Sequence, residues 1–223
     1  MIKAVIIVAG GSGTRMQSSI PKQFLLLRNR PILMHTIDRF VGYDANVQVI
    51  LVLPEVEIGR WEQLCSEYGF TTSHSVAIGG ETRFHSVKNG LALVAKGSLI
   101  AIHDGVRPLV SADVIARCFD SAAHGKATVP VVQAVDSLRE VTTSGNKALN
   151  RSSIRLVQTP QVFPYDMLMD SYQQEFTPLF TDDASVVEAK GYDISLVEGN
   201  VENIKITNPI DLLVADRVYD AIR

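Results

Sequence analysis

The sequence predicts an α/β fold organised around a mainly parallel central sheet. Residues 2–8, 47–53 and 98–102 are short apolar runs rich in Val and Ile, which is typical of strands buried on both faces. Helical patterns separate these runs, and such an alternation favours parallel strands joined by crossover helices. A chain of 223 residues can bury a substantial core. We therefore predict one domain over residues 1–223.

Local signals place the elements of the first half of the chain. Pro31 opens a helix expected to cover the first strand, and residues 55–68 form a second helix that Gly69 ends. Residues 71–78 are a weaker strand, and a third helix runs from residue 84 to about 96. Trp61 is predicted to lie in the core.

The second half continues the alternation. Ser111 caps a helix that ends near residue 124, and Pro130 places the following strand, residues 127–135, at an edge or a bulge. The later elements are a helix over 164–174, a helix over 182–190 capped by Thr181, strands over 194–197 and 203–207, and a terminal helix from Pro209. The acids that begin the 182–190 helix are interpreted as complementing the helix dipole, which is a simpler role than binding a metal.

Residues 136–158 interrupt the alternation. Strand-like segments flank Ser144-Gly145-Asn146, and several basic residues, Arg151 among them, are interspersed. This pattern predicts a β-hairpin arm that projects from the domain. Because a hairpin cannot bury itself, we expect a contact between subunits, the alternative being a loosely packed surface hairpin.

Composition favours a small-molecule partner. The net charge of −3 and the pI near 5.9 lack the basic surplus of a nucleic-acid-binding protein. No apolar stretch reaches the roughly 18 residues of a membrane helix, so a cytoplasmic location is predicted without membrane contact. Cys65 and Cys118 lack a C-x-x-C spacing, which is typical of reduced thiols.

The first strand leads into the stretch where chemistry is predicted to begin. Gly10, Gly11 and Gly13 follow it, and glycine lets backbone N–H groups approach an anion closely, so this turn indicates a phosphate cradle with Arg15 and Lys22 beside it. It is not a dinucleotide fingerprint, because methionine stands at the third glycine position, nor a Walker loop, because the last glycine precedes Thr-Arg. A surface turn with two solvated cations is the alternative.

Further candidates lie at later strand ends. The turn Gly79-Gly80-Glu81-Thr82-Arg83 precedes the third helix and offers backbone groups to a base edge, with Arg83 and Ser86 supporting the turn or contacting ligand; a helix cap is the alternative. Asp104 follows a central strand and is a candidate for a metal or hydroxyl contact, or else a partner of Arg107. Lys205 can meet a phosphate or protect an edge strand. No histidine has spaced ligand partners, so no catalytic histidine is assigned.

Taken together, these motifs resemble the 2-C-methyl-D-erythritol 4-phosphate cytidylyltransferases of isoprenoid precursor synthesis by the non-mevalonate pathway, over essentially the whole chain. The matching strings are A-G-G-S-G-T-R-M at 9–16, P-K-Q at 21–23, G-G-E-T-R-F-H-S-V-K-N-G at 79–90, H-D-G-V-R-P at 103–108, T-P-Q at 159–161, T-D-D-A-S at 181–185 and N-I-K-I-T at 203–207. Two departures stand out. The family's first loop often begins Ala-Ala-Gly where this chain has Ala9-Gly10-Gly11, as in the sister ribitol-5-phosphate enzymes, and its acid is usually followed by two alanines where this chain has Gly105-Val106.

The resemblance implies a Rossmann-like nucleotidyltransferase domain with named roles for its residues. Arg15 and Lys22 would stabilise the triphosphate in the transition state, while Arg151, from a partner subunit's arm, and Lys205 would hold the sugar phosphate. The implied CTP-binding residues are Ala9, Gly10, Gly11, Gly13, Gly80, Glu81, Ser86 and Asp104. The implied sugar-phosphate residues are Asp104, Arg107, Arg151, Thr159, Thr181 and Lys205. Magnesium is the implied cofactor, held by Asp104 or else by the triphosphate, and a homodimer through residues 136–158 is the implied assembly.

The implied reaction transfers the cytidylyl group of CTP to 2-C-methyl-D-erythritol 4-phosphate and releases pyrophosphate. The incoming phosphate is already an anion, so positioning and cations suffice without a general base. Two alternatives stay open: an enzyme for ribitol 5-phosphate or another polyol phosphate, and a non-catalytic nucleotide-binding regulator that kept the loop. The joint presence of Arg15 and Lys22 favours catalysis.

Overall fold

The computed structural model describes residues 1–11, 16 and 20–221 of the chain. The strands are β1 (Lys3–Val8), β2 (Leu26–Leu27), β3 (Arg30–Pro31), β4 (Gln48–Leu53), β5 (Ser75–Ile78), β6 (Leu99–Asp104), β7 (Ala127–Gln133), β8 (Leu138–Thr142), β9 (Gly145–Leu149), β10 (Arg155–Val157), β11 (Gln161–Pro164) and β12 (Ile194–Glu198). The helices are α1 (Ile32–Tyr43), α2 (Glu55–Glu67), α3 (Arg83–Leu91), α4 (Ala112–Ala123), α5 (Tyr165–Ser171), α6 (Asp183–Ala189) and α7 (Pro209–Val218).

An eight-stranded sheet forms the centre of the fold. β6, β1, β4 and β5 are neighbours and run parallel, and β12 is parallel to β7. β11 is antiparallel to both β6 and β7 and so joins the two parallel groups. β10 is also antiparallel to β7 and pairs with residues 131–133 of that strand. The predicted α/β fold with a mainly parallel sheet is confirmed.

Helices cover both faces of this sheet, which explains why the central strands are continuous apolar runs. Alternate residues of β1 enter opposite hydrophobic clusters: Val5 and Ile7 pack towards α1, α2 and α4, whereas Ala4 and Ile6 pack towards α3 and α5. All four side chains are fully buried. Trp61 is buried in the first cluster, as predicted.

Pro130 does not mark an edge; of the two expected alternatives, an edge is wrong, and a bulge-like irregularity is found opposite the proline. β7 has β12 along one side and both β10 and β11 along the other. The irregularity lies in the neighbouring chain, where residues 158–160 separate β10 from β11 opposite Pro130, and the Gln158 N–H donates to the Pro130 carbonyl. The sheet thus accommodates a proline by interrupting its partner.

Residues 203–207 form no strand, contrary to expectation. Only Ile206 in this segment makes a strand-like contact, its N–H donating to the Val106 carbonyl. Ile206 is buried in a small cluster beneath α7, with Ile204 packed against that cluster. The apolar alternation at 204 and 206 therefore reflects packing under the terminal helix and not membership of a sheet.

Helix ends differ from the expectations in three places, one of which is α5, which ends at Ser171 instead of residue 174. Asp182, not Thr181, is the N-cap of α6: its side chain accepts from the Ser185 N–H at 2.9 Å, and the Ser185 hydroxyl accepts from the Asp182 N–H. This reciprocal capping box starts the helix one residue later than predicted. α3 ends at Leu91 instead of near residue 96.

The predicted hairpin is present. β8 and β9 pair with each other over five residues, followed by a 3₁₀ turn at Arg151–Ser153 and a return to the central sheet through β10. The side chains of β9 are exposed along its whole length. No helix among the described residues is long and apolar enough to cross a bilayer.

Candidate active site

The carboxyl ends of four parallel strands meet at one cavity. β1, β4, β5 and β6 are neighbours in the sheet, so the turns that follow them open on the same side. The cavity has a volume of about 540 Å³. Its lining residues are Val8, Ala9, Gly10, Gly11, Lys22, Gln23, Pro54, Glu55, Val56, Ile78, Gly79, Gly80, Glu81, Thr82, Arg83, Ser86, Asp104, Val106 and Lys205.

Lys22 closes the cavity beside the first glycine turn. A side chain at Gly11 would place its Cβ 3.3 Å from Cε of Lys22, so glycine lets the lysine lie against the backbone. Lys22 is only 9% exposed and begins a 3₁₀ turn whose Phe24 stacks on buried Trp61. The cation is thus anchored through the core. Gly13 and Arg15, predicted to complete this cradle, lie outside the described residues.

The second glycine turn is shaped by hydrogen bonds and close packing. The Gly80 N–H donates to Oγ of Ser86 at 3.0 Å, and a Cβ at Gly80 would clash with His85, lying 2.9 Å from its carbonyl carbon. Thr82 caps α3 by accepting from the His85 N–H. Ser86 therefore supports the turn, and the helix cap belongs to Thr82.

Asp104 lies at the cavity wall among three cations. Its Oδ2 is 3.1 Å from Nε of Arg107 and 3.2 Å from Nζ of Lys205, and its Oδ1 is 4.0 Å from Nε of Arg83. Burial alone would raise the pKa of this carboxyl, but the charges of Lys205, Arg83 and Arg107 outweigh that effect and hold the pKa well below its usual range. Asp104 is therefore a carboxylate at neutral pH. It partners Arg107, as the alternative interpretation expected, and because it also faces the cavity, its contact with a ligand hydroxyl stays a prediction.

A buried layer behind Asp104 fixes its position. The Asp104 N–H donates to Oγ1 of Thr159, and that hydroxyl lies 3.0 Å from Nδ1 of His103. Nε2 of His103 is 3.1 Å from the Arg107 carbonyl, so the ring is a neutral tautomer that donates there and accepts from Thr159. Burial lowers the pKa of His103 to about 4. The histidine serves as a support for the wall.

Arg83 is held by a second buried carboxylate. Its guanidinium donates from Nη1 and Nη2 to the two oxygens of Asp183 at 2.8 and 2.6 Å. The Tyr172 hydroxyl donates to the same carboxylate at 2.7 Å, and Asp183 is fully buried. The Asp183 charge raises the pKa of Arg83 against the lowering effect of burial. No local pattern signals this contact in the sequence, because its two partners are 100 residues apart.

The cavity brings together most of the predicted residues. Those that line it are Ala9, Gly10, Gly11, Lys22, Gly80, Glu81, Ser86, Asp104 and Lys205. Among the described residues, four candidates lie elsewhere: Arg107 packs behind Asp104, Thr159 is buried below it, Thr181 is exposed just before α6, and Arg151 is on the arm with its Nη1 donating to the Val135 carbonyl. Gln23, buried between Lys22 and the core, lines the cavity but was not predicted.

The described carboxylates do not form a metal centre. No cluster of three or more His, Cys, Asp or Glu side chains occurs in residues 1–11, 16 and 20–221. Asp104 is already in contact with Arg107 and Lys205, so its charge is compensated by protein cations. A role for Asp104 as a metal ligand therefore stays a prediction, with the triphosphate as the alternative holder of the metal.

The space around Gly10 and Gly105 differs at the two family departures. A Cβ at Gly10 would meet nothing within 4 Å, so alanine and glycine are equally accommodated there. A Cβ at Gly105 would lie 2.9 Å from Cβ of Ala9 and 3.1 Å from Cδ1 of Leu33. Glycine at 105 thus fits the packing of this chain, and neither departure requires a different substrate.

A solved structure is similar to this protein over nearly its whole length. A crystal structure of 2-C-methyl-D-erythritol 4-phosphate cytidylyltransferase from Thermus thermophilus is similar with a TM-score of 0.78 and 30% identity, covering 99% of this chain and 100% of that one. The fold and the cavity at its sheet edge define this protein as a nucleotidyltransferase.

Sequence comparison then identifies the family. The model of the 2-C-methyl-D-erythritol 4-phosphate cytidylyltransferase (IspD) family matches residues 3–220, and the chain belongs to this family. A relative of that name from Bacteroides thetaiotaomicron is 56% identical over 214 residues, which are 96% of this chain and 98% of the relative. Another of that name, from Phocaeicola vulgatus, is 51% identical over 97% of this chain and 99% of its own.

Proposed function

We propose that this enzyme transfers the cytidylyl group of CTP to 2-C-methyl-D-erythritol 4-phosphate, giving 4-diphosphocytidyl-2-C-methyl-D-erythritol and pyrophosphate. The observation that carries the proposal is the full-length family match, together with one cavity that holds a glycine turn, Lys22 and Lys205. A phosphate oxygen of the sugar attacks the α-phosphorus of CTP. A new P–O bond forms there, the bond to the bridging oxygen breaks, and its electron pair leaves with pyrophosphate.

The cations lower the barrier by offsetting negative charge. Two anionic phosphates must approach each other, so the chief requirements are positioning and charge stabilisation. Lys22, buried against Gly11, is preorganised to contact the triphosphate, and Arg15 is proposed to act beside it. No nucleophilic side chain is needed, because the sugar phosphate is itself the nucleophile.

The nucleotide is proposed to lie between the two glycine turns. Ala9, Gly10, Gly11 and Gly13 would follow the phosphates and ribose, while Gly80, Glu81 and Ser86 would shape a slot for the cytosine edge. The close approach of Gly80 to His85 keeps this turn tight, which favours a pyrimidine over a larger purine.

The sugar phosphate is proposed to bind at the other end of the cavity. Lys205, which is 42% exposed at its side chain, can turn from Asp104 towards a phosphate. Arg107 and Thr159 would act through Asp104, which they hold in place, and Thr181 remains a candidate contact at the rim. Arg151 is proposed to reach this end of the cavity in the partner subunit.

Magnesium is proposed to enter with the nucleotide as part of the substrate MgCTP. Mg²⁺ is commonly held by substrate phosphates and water with few protein ligands, and the charge-compensated Asp104 agrees with such a scheme. We expect the reaction to occur in the cytoplasm, where CTP is available.

We also propose a two-fold homodimer built through residues 136–158, within a single domain over 1–223. Exposed apolar side chains occur on and beside this arm, including Val135, Val141 and Leu156, at 79%, 81% and 47% exposure. Apolar surface of this kind is stabilised by a second copy.

The decisive experiment measures pyrophosphate release against a panel of nucleotides and phosphorylated polyols. CTP should exceed ATP and GTP in kcat/KM, and methylerythritol 4-phosphate should exceed ribitol 5-phosphate. The reverse ranking of the two polyols would assign the chain to the sister activity. Nucleotide binding without turnover of any polyol would make it a regulator.

A further inference from the structure

One guanidinium, that of Arg83, connects two carboxylates on different elements. Its Nη1 and Nη2 atoms donate to Asp183 at the start of α6, while its Nε faces Asp104 at the end of β6, 4.0 Å away. Arg83 is the first residue of α3, directly after the Gly79–Thr82 turn. It lines the cavity, between the turn proposed to bind the nucleotide and the Asp104 and Lys205 side chains.

Stability does not account for this arrangement. A buried ion pair costs about as much in desolvation as it returns, and well-packed apolar residues often serve equally well. The ion pair instead fixes the orientation of the Arg83 guanidinium. The bidentate contact to Asp183, which also accepts from the Tyr172 hydroxyl, leaves the guanidinium little freedom to rotate.

The two carboxylate oxygens of Asp104 face different cations. Oδ2 contacts both Arg107 and Lys205, whereas Oδ1 faces Arg83. Without a cation on the Oδ1 side, the attraction on this carboxylate would come only from the other side. The carboxylate would then pair more closely with Lys205.

We propose that Arg83, clamped by Asp183, is a positioning residue that holds Asp104 from the side opposite Lys205 and so leaves Lys205 available to the sugar phosphate. This inference rests on the proposed function, in which Lys205 binds that phosphate. It predicts that loss of the Arg83 charge weakens sugar-phosphate binding more than it slows turnover.

The test uses the neutral pair Arg83→Gln/Asp183→Asn. Asn has the shape of Asp and retains an acceptor for Tyr172, and Gln keeps a polar end on a shorter stem, while no buried charge is left unpaired. The matched control is Lys190→Gln/Asp170→Asn, which neutralises the partly exposed ion pair between α5 and the end of α6. Both proteins are assayed for steady-state kinetics and for the dissociation constant of methylerythritol 4-phosphate in the presence of an unreactive CTP analogue.

We expect the Arg83/Asp183 variant to bind the sugar phosphate at least tenfold more weakly, with a smaller change in kcat, while the control matches wild type. In an Asp104→Asn background the same pair of substitutions should weaken binding by less than about threefold, because no charged carboxylate remains to be positioned. This loss of additivity is a result that a merely structural role would not produce.

A folded Arg83/Asp183 variant with wild-type binding overturns the proposal, and so does an equal loss in the Asp104→Asn background. If the neutral pair does not fold, Arg83→Lys decides the question. Asp183 then keeps a cation, but lysine lacks the separate Nη and Nε groups with which Arg83 faces the two carboxylates, so binding should again weaken tenfold. Wild-type binding would refute the role. A wild-type enzyme that turns over no phosphorylated polyol would instead refute the proposed function, and this inference with it.

Discussion

Replacing Gly80 by alanine tests whether the second glycine turn is held as tightly as the structure indicates. The new Cβ would lie 2.9 Å from the carbonyl carbon of His85 and closer still to its Cβ. Both atoms belong to the first turn of α3, which cannot move independently of the core residues Phe84 and Val87. The 79–82 turn must therefore shift instead.

Two effects set the size of the change. Overpacking against a fixed neighbour costs about 1–3 kcal/mol. Moving the turn also removes the bond between the Gly80 N–H and Ser86 Oγ, which contributes about 1 kcal/mol. The free energy of unfolding should thus fall by about 2–4 kcal/mol, and the dissociation constant for CTP should rise at least tenfold, since the displaced turn lines the nucleotide end of the cavity.

Urea unfolding and CTP titration measure the two quantities on the same protein. The control is Gly59→Ala in the exposed middle of α2, where a Cβ meets nothing within 4 Å. Alanine there should raise stability by about 0.5–1 kcal/mol and leave CTP binding unchanged. If Gly80→Ala unfolds within about 0.5 kcal/mol of wild type and binds CTP normally, the reasoning from close contact is refuted.

Three further predictions concern the charged groups. Lys22→Ala should fold but lose turnover by about 10²-fold or more, as removal of a preorganised transition-state donor does. The control Lys126→Ala, at an exposed position, should keep wild-type turnover, and equal turnover of the two variants would contradict a role for Lys22 in the phosphate cradle. If Arg151 acts in the partner's site, mixing inactive Lys22→Ala and Arg151→Ala subunits should restore roughly a quarter of wild-type activity, because half of the dimers are mixed and half of their sites are intact. If the subunits exchange and no activity returns, each site is built from one chain. Because the pKa of Asp104 is lowered on folding, its charge stabilises the protein above the unfolded value near pH 4, and this contribution is lost as pH falls through the lower folded pKa. The difference in unfolding free energy between wild type and Asp104→Asn should therefore be constant from pH 7 to 5 and change only below about pH 4, and a change centred near neutral pH would contradict this assignment.

Short-range signals in the sequence were sufficient for most of the fold. β1 was predicted because every residue from Ala4 to Ile7 is apolar, and each is fully buried between helices on both faces. α2 was expected to end before Gly69, and this glycine has a positive φ of 59° that few other residues adopt. Such signals predict local structure correctly because they depend on residues that are close together along the chain.

What the sequence determined alone is thus most of the elements and the residue types at the strand ends, while their spatial partners depended on the tertiary structure. The pattern at residues 203–207 resembles a strand, but no neighbouring strand in the described chain pairs with it, and it packs beneath α7 instead. Likewise Arg83 and Asp183 are ordinary charged residues in sequence, and only the tertiary structure brings the first residues of α3 and α6 into contact. Pairing between residues 100 positions apart depends on the total packing of the core, and no local pattern of hydrophobicity or charge encodes it.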